Sequence, residues 1–329
     1  MKTLHEYNLL KKFKYMKNLY KYLQNIMEGG NVWDNSASIK KEYIKPTLEK
    51  FKAEFSRIFP IASKHFESVI TLGSVGKKDI SGDIDLAIDN SAFNDVDDWG
   101  LDPAYLTELF ARFKKRARTS ADSQIMKRAV IVAISEIVNK ESNIIETDVK
   151  SAGSGTLFCQ FPQFDENGKE TDLSVQIDVN VGDIDWLRFA YYSDSYKGNV
   201  KGLHRTQLML SLFSYKDHTF SHNYGVKNKE SQEIVANNPK QAVELLNKLY
   251  GFNITEKILQ NYFDLQKFLT ANLKQEDLHA IWNTYLKILD STRCDIPEDL
   301  QPYWVEHQDE LGLTGKFLPN NSNLIALKK

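Results

Sequence analysis

Two aspartates with one residue between them, Asp83 and Asp85, are the first candidates for chemistry in this sequence. The apolar residues Ile84, Leu86 and Ile88 alternate with them, which predicts a β-strand. Residues two apart in a strand point to the same face, so the two carboxylates are expected side by side. Carboxylates this close repel each other unless a cation separates them, and hard oxygen ligands suit Mg²⁺ or Mn²⁺. The pair therefore predicts a divalent metal site.

A glycine and a serine, Gly73 and Ser74, precede this pair and follow a β-rich segment at Phe66–Leu72. Glycine lets the main chain approach a phosphate closely, and the serine hydroxyl can bond a phosphate oxygen. Lys77, in the same loop, is placed to pair with a triphosphate, although a solvated turn lysine is an equal alternative. A phosphate loop beside a metal site is the minimum equipment for phosphoryl or nucleotidyl transfer.

The segment LGSVGKKDISGDIDLAI, residues 72–88, resembles the motif of the DNA polymerase β-like nucleotidyltransferase superfamily. That motif is a hydrophobic strand, Gly-Ser, a spacer, and then Asp-hydrophobic-Asp-hydrophobic. The resemblance implies transfer of an NMP from an NTP, with ATP as the expected donor, to a hydroxyl group. It also implies two metal ions, both held by the paired aspartates, and a third carboxylate that helps bind the ion activating the hydroxyl. The subfamily is open, with a loose similarity to phage and bacterial defence-associated nucleotidyltransferases.

The third carboxylate is expected at Asp178, in the segment LSVQIDVNV. Apolar residues alternate with polar ones there, so Asp178 faces away from the apolar side of the predicted strand. Asp183 and Asp185 are competitors, but they follow Gly182 and are more typical of a strand exit and a helix cap.

A further group of basic residues lies at the start of a predicted helix: Lys201, His204 and Arg205. Positive charge at a helix start opposes the helix dipole, so these residues need a compensating partner. In larger relatives, the helical region after the third aspartate holds the nucleotide. The resemblance therefore makes all three candidates for binding phosphates, and nearby tyrosines such as Tyr191 and Tyr192 candidates for stacking on a base.

The order of predicted elements indicates an α+β fold with a mixed β-sheet core. Helices are predicted over 3–28, from Ser36 or Ser38 to Phe59, over 103–118 and 121–139, and throughout the region after Asp185. Strands are predicted at Phe66–Leu72, at Ile84–Ile88, and over 143–150, 155–161 and 173–181. The expected organisation is N-terminal helices over 1–60, a nucleotidyltransferase core over 61–184 and a helical C-terminal domain over 185–329.

The composition restricts partners and compartment. The net charge of -2 gives no overall attraction to nucleic acid. Local basic residues are candidates for contacting an RNA or oligonucleotide acceptor, although a solvated helix face is as good an interpretation: Arg112, Lys114, Lys115, Arg116, Arg118, Lys127 and Arg128. The two cysteines form no metal-ligand spacing, and no apolar run spans a membrane, so a cytoplasmic protein without membrane contact is expected. The oligomeric state stays open.

The acceptor of the nucleotide also stays open. An RNA 3′ end, a second nucleotide, and a hydroxyl on a protein or small molecule all fit the sequence. A toxin that modifies tRNA or a protein is a further possibility with the same chemistry. A non-catalytic protein that binds nucleotides or nucleic acid on the same fold is the alternative class, and the retained set of mutually repelling aspartates argues against it.

Overall fold

The computed structural model describes residues 32–33, 35–93, 96–116, 121–152, 155–194, 200–292 and 294–311. The helix predicted over 3–28 lies outside these residues. Within them, no helix is long and apolar enough to cross a membrane.

A mixed five-stranded sheet organises the first half of the chain. The strands of this half are β1 (Ile39–Lys40), β2 (Ile70–Thr71), β3 (Ile80–Ser81), β4 (Ile84–Asp89), β5 (Glu146–Thr147), β6 (Thr156–Phe164) and β7 (Glu170–Gly182). The order in the sheet is β2-β4-β7-β6-β5, while β1 and β3 form a separate pair. Strands β4 and β7 are parallel, and the other neighbours in the sheet are antiparallel. The predicted α+β class with a mixed sheet is confirmed.

Five helices pack around this sheet. They are α1 (Lys41–Ile58), α2 (Ser63–Glu67), α3 (Pro103–Arg116), α4 (Asp122–Glu141) and α5 (Val149–Ala152). One apolar core joins them to the strands and runs from Ile39 to Val181. Helix α1 belongs to this core, since Phe51 stacks edge-on against Phe161 of β6 at 5.4 Å between ring centroids. Helix α4 is buried along much of its length, because its apolar residues are not confined to one stripe.

The second half has its own core, which runs from Trp186 to Trp304. Its helices are α6 (Ile184–Ala190), α7 (Gly202–Tyr215), α8 (Pro239–Tyr250), α9 (Glu256–Gln260), α10 (Tyr262–Asn272), α11 (Gln275–Ser291) and α12 (Gln301–Leu311). A small antiparallel sheet lies between α7 and α8, with strands β8 (His218–Ser221), β9 (Gly225–Asn228) and β10 (Ile234–Ala236). The prediction of helices throughout the region after Asp185 is therefore wrong at this sheet. The sequence does not reveal the sheet, because strands of three or four residues are too short to show a period.

Several boundaries differ from the sequence prediction, among them the strand predicted over 143–150, which is reduced to β5 and followed by α5. The strand predicted at Phe66–Leu72 is reduced to β2, because Phe66 belongs to α2 and fills the first core. Helix α1 begins at Lys41, since the residues before it pair with strands, Ser36 with Ser174 and β1 with β3. Asp83 lies in a bend just before β4 rather than within the strand.

Candidate functional site

The parallel pairing of β4 with β7 brings two of the predicted aspartates together. Asp85 on β4 lies directly opposite Asp178 on β7. Neighbouring strands are about 4.7–4.9 Å apart, and opposed residues of a parallel pair point to the same face. The structure thus places the aspartate selected by strand alternation beside the Asp-x-Asp motif, although the two segments are far apart in sequence.

The carboxylates belong to a polar face of the sheet. On β7, Gln176, Asp178 and Asn180 point to this face and are buried, while the alternate valines and isoleucine enter the first core. Gln176 Nε2 donates to Asp178 Oδ1 at 2.8 Å, and Asn180 Nδ2 donates to Asp85 Oδ1 at 3.3 Å. Gln176 and Asn180 were not predicted to be site residues. The signal for them was a run of polar residues at every second position of a strand that is otherwise apolar.

Asn180 is oriented by two hydroxyl groups. Tyr191 Oη donates to Asn180 Oδ1 at 2.8 Å, and Thr156 Oγ1 donates to the same oxygen at 3.1 Å. With its oxygen accepting both bonds, the Asn180 amide nitrogen is left to donate towards Asp85. Asn223, next to β9, extends the network by donating from Nδ2 to Thr156 Oγ1 at 3.2 Å. The second half of the chain therefore helps to position a carboxylate of the first.

Burial and mutual repulsion dominate the electrostatics of the three aspartates. Burial, and then the charges of Asp85 and Asp83, raise the pKa of Asp178 well above its ordinary value, despite the bond from Gln176. Burial and then Asp83 likewise raise the pKa of Asp85. Burial raises the pKa of Asp83 as well. None of the ion pairs among the described residues includes these aspartates, so the site concentrates negative charge without an internal counter-charge.

The predicted phosphate loop lies against Asp85. Leu72 N donates to Asp85 O at 2.8 Å, which fixes the loop to β4. Gly73 has a φ of +60°, and a methyl group built on it would lie 3.5 Å from Asp85 Oδ2. Ser74 enters the turn that follows, where Lys77 N donates to Ser74 O at 3.0 Å. Gly73 thus combines a left-handed backbone with a close approach to a carboxylate, and both favour glycine.

A cleft of about 760 Å³ opens on the other side of this loop. It is lined by Gly73, by the basic side chains of Lys77, Arg188 and Lys240, and by acidic side chains that include Glu256. Lys77 Nζ donates to Ser193 O at 2.7 Å and lies 5.3 Å from the centroid of the Tyr192 ring. The three aspartates do not line the cleft, so Gly73 is where the cleft and the carboxylate face meet.

The two competing aspartates have other roles in the structure. Asp183 caps helix α6, accepting from Trp186 N at 2.8 Å, as its position after Gly182 predicted. Asp185 is exposed and lies 3.9 Å from Arg188 Nη1. Both line the cleft rather than the face that holds Asp85 and Asp178.

His204 and Arg205 do not lie at the carboxylate face. Both are fully buried in the second half of the chain. His204 accepts from Lys201 N at 2.7 Å through Nδ1, and its Nε2 lies 2.7 Å from Asp295 O. Arg205 donates from Nε to Leu259 O at 2.7 Å and from Nη1 to Phe189 O at 2.6 Å. Main-chain carbonyl oxygens are thus the compensating partners that the sequence required, and the predicted phosphate contacts of these two residues are corrected to a structural role. Lys201 is exposed at the N-cap of α7.

The basic residues predicted to meet nucleic acid separate into two environments. On α3, Lys114 pairs with Asp122 in solvent. On α4, Lys127 is almost wholly buried and does not belong to a wet helix face. Arg118 lies outside the described residues.

The donor set fits a hard divalent cation, since three oxygen-rich side chains repel one another and lack a counter-charge. In the part of the chain that the structure describes, however, no three His, Cys, Asp or Glu side chains already surround one point as metal ligands. No protein-family model and no curated protein matches this chain.

Proposed function

We propose that this chain is a metal-dependent nucleotidyltransferase that transfers an NMP from an NTP to a hydroxyl acceptor. The observation that supports this most directly is the opposition of Asp85 and Asp178 on parallel strands, with a left-handed glycine against Asp85. Buried carboxylates that repel each other destabilise the fold, so their arrangement favours a cationic ligand over a structural purpose.

Asp83, Asp85 and Asp178 are the residues that would hold Mg²⁺ or Mn²⁺. When bound, such ions lower the pKa of an attacking hydroxyl group and neutralise a departing pyrophosphate. Asp83 lies in the bend before β4, outside the paired strands that hold Asp85 and Asp178, so it has the greatest freedom to turn towards a ligand.

The proposed step is an in-line displacement. The oxygen of the acceptor hydroxyl forms a bond to the α-phosphorus of the NTP, and the bond from that phosphorus to the α,β-bridging oxygen breaks. Pyrophosphate leaves with the bridging oxygen and its electron pair. Asp178, which lies opposite Asp85 on the neighbouring strand, is proposed to take the proton of the hydroxyl.

The glycine loop and the cleft are proposed to hold the triphosphate. Main-chain groups at Gly73 and Ser74 can approach phosphates closely because Gly73 has no side chain. Lys77 lies at the edge of the cleft and is held by Ser193 O, so its ammonium group is already oriented towards the second half of the chain. Tyr192, beneath Lys77, offers an aromatic surface in the same cleft.

A labelling experiment tests the proposal. The protein is incubated with each α-³²P-labelled NTP and Mg²⁺ or Mn²⁺, with and without total RNA. Label in RNA, in protein or in a small oligonucleotide identifies the acceptor. Asp178→Asn and Asp83→Asn are expected to lower the rate at least about 100-fold, the usual cost of removing a central electrostatic or acid–base group.

Asp172→Asn is the matched control. It makes the same change of charge on β7, but at an exposed position outside the buried polar face. Its rate should equal that of the native chain. Equal losses in Asp172→Asn and Asp178→Asn would contradict the assignment of the third carboxylate. Absence of label with every NTP, for protein that still binds NTP, would reject transfer itself.

A further inference from the structure

Three basic residues gather around one tyrosine ring where the two halves of the chain meet. Lys127 Nζ lies 4.6 Å from the centroid of Tyr224, Lys227 Nζ 5.5 Å, and the guanidinium carbon of Arg128 5.9 Å. Lys127 and Arg128 come from α4, and Lys227 comes from β9. We call Lys127, Arg128, Lys227 and Tyr224 the cationic cluster.

The hydrogen-bond partners of the cationic cluster are neutral. Lys127 Nζ donates to Val181 O and, at 3.3 Å, to Asn90 Oδ1. Lys227 Nζ donates to Gln124 Oε1 at 2.9 Å. No ion pair among the described residues includes a member of the cluster. Three positive charges are therefore brought together without a carboxylate to balance them.

The cluster also has an unused donor and lysines whose charged form is disfavoured. The Nε atom of Arg128 is buried and, within the described residues, has no hydrogen-bond partner. Burial and then the charge of Arg128 lower the pKa of Lys127 to about 7, and the same two causes lower the pKa of Lys227. An anion in contact with these groups would relieve both effects, because it satisfies the donor and favours the charged lysines.

The cationic cluster is close to the carboxylate face. Lys127 contacts the carbonyl of Val181, three residues along β7 from Asp178, which corresponds to roughly 10 Å. On the other side, Asn223 precedes Tyr224 and bonds Thr156, which bonds Asn180. Arg128, Tyr224 and Lys227 each keep part of their surface exposed, so a ligand in solvent can reach them.

We propose that the cationic cluster binds a phosphate group, and that this phosphate belongs to the acceptor of the transferred nucleotide. The second part rests on the proposed function, while phosphate binding by itself does not. A diester in a single-stranded polynucleotide and the phosphate of a mononucleotide present the same chemistry to the cluster. A hydroxyl group elsewhere on the same molecule then reaches the Asp178 side of β7.

The test uses the double variant Arg128→Gln/Lys227→Gln and the control Lys248→Gln/Lys267→Gln, which removes the same charge at exposed positions of α8 and α10. Two probes are titrated without added divalent ions, so that no turnover occurs. A short fluorescent single-stranded RNA is followed by anisotropy at several salt concentrations. Inorganic phosphate is followed by the rise in melting temperature.

The Arg128/Lys227 double variant should bind the RNA at least about tenfold more weakly than the control, since it loses charge-assisted hydrogen bonds to the phosphate. The slope of its salt dependence should decrease by about 0.7 for each RNA phosphate that the variant no longer binds. Inorganic phosphate should stabilise the control but not this variant. Unchanged RNA binding together with the disappearance of phosphate stabilisation would assign the site to a mononucleotide phosphate.

Equal binding of both probes by the two double variants would overturn the proposal. Its failure is separable from failure of the proposed function. A native chain that transfers nucleotides while both double variants bind alike contradicts only the cationic cluster. A native chain without transfer, whose phosphate binding still depends on Arg128 and Lys227, contradicts the transferase and the assignment of the phosphate to its acceptor, but not phosphate binding by the cationic cluster.

Discussion

Buried charge is treated in opposite ways in the two halves of the chain. In the second half, Arg205 is fully buried and donates to the carbonyl oxygens of Leu259, Phe189 and Ala190. In the first half, Asp85 and Asp178 lie opposite each other on neighbouring strands. Burial together with neighbouring carboxylates raises the pKa of each. The charge of the arginine is stabilised by carbonyl dipoles that point at it, whereas the aspartates lie together despite their mutual repulsion.

The difference separates a structural charge from one arranged for a ligand. A buried charge with fixed dipoles around it stabilises the local fold, and its removal leaves those dipoles unpaired. A buried charge that faces another of the same sign lowers stability until a counter-ion arrives. Both kinds were predicted to be site residues, because burial and partners are not visible in residue types. Substitutions at Arg205, Asp178 and Gly73, each with its control, test the distinction.

The largest effect on stability is expected for Arg205→Leu. This change removes the arginine donors from three carbonyl oxygens in the second core, although Thr206 Oγ1 still donates to Ala190 O and Tyr192 N to Phe189 O. The free energy of unfolding should therefore fall by about 3 kcal/mol. Urea denaturation measures it. Arg188→Leu, an exposed arginine of α6, is the control and should change stability by less than about 0.5 kcal/mol. A stable Arg205→Leu protein with weakened NTP binding would restore the phosphate contact that the sequence predicted.

In the absence of divalent ions, Asp178→Asn should raise the free energy of unfolding, which is the opposite of the effect expected for Arg205→Leu. The raised pKa of Asp178 means that the folded chain binds more protons than the unfolded chain above about pH 4, so its stability falls as the pH rises towards the folded pKa. Asparagine removes this loss and keeps an oxygen that accepts from Gln176. The variant should therefore be more stable than the native chain at pH 7, with the difference disappearing near pH 4.

The same comparison of stability in the presence of divalent ions tests whether Asp178 binds them. At about 100 times its Kd, Mg²⁺ should stabilise the native chain by about 2.7 kcal/mol and Asp178→Asn by much less. Denaturation curves from pH 4 to 8, with Mg²⁺ or with a chelator, measure both effects. A variant that is less stable than the native chain at pH 7 without metal would mean that Asp178 is a structural residue like Arg205.

Gly73→Ala and Gly76→Ala should give the smallest effects on stability. Both glycines have positive φ, +60° and +70°, so each alanine should cost about 1–2 kcal/mol. Only the methyl group at Gly73 lies near Asp85, while none of the described atoms lies within 4 Å of one at Gly76. Similar losses in melting temperature are expected, with weaker Mg²⁺-dependent NTP binding in Gly73→Ala alone. Equal NTP binding by both variants would mean that the glycine loop does not contribute to the site.

The fold class and the position of Asp178 on a strand were accessible from the sequence, because strand alternation is a strong local signal. Alternation placed Asp178 on the polar face of β7 without any knowledge of its neighbours. The β8–β10 sheet was not accessible, since its strands are only three or four residues long. Asp83 was assigned to the strand, although β4 begins one residue later.

The partners of single side chains were also beyond the sequence. Lys127 and Arg205 are each a basic residue in a helix. Only packing shows that Lys127 shares the Tyr224 ring with two other cations, whereas Arg205 is held by carbonyl oxygens. Asn180 was identified only as a polar residue in a strand, and its importance comes from contacts with Asp85, Thr156 and Tyr191 that span distant segments.

The parallel pairing of β4 with β7 has a consequence for the newly made chain. The hydrogen bond from Asn180 to Asp85 joins residues 95 positions apart, and parallel strands pair only after the segment between them has crossed over. Non-local pairing of this kind forms slowly compared with local helices. Asp178 therefore stays apart from Asp83 and Asp85, and the proposed site for divalent ions is incomplete, until β7 has left the ribosome and joined β4.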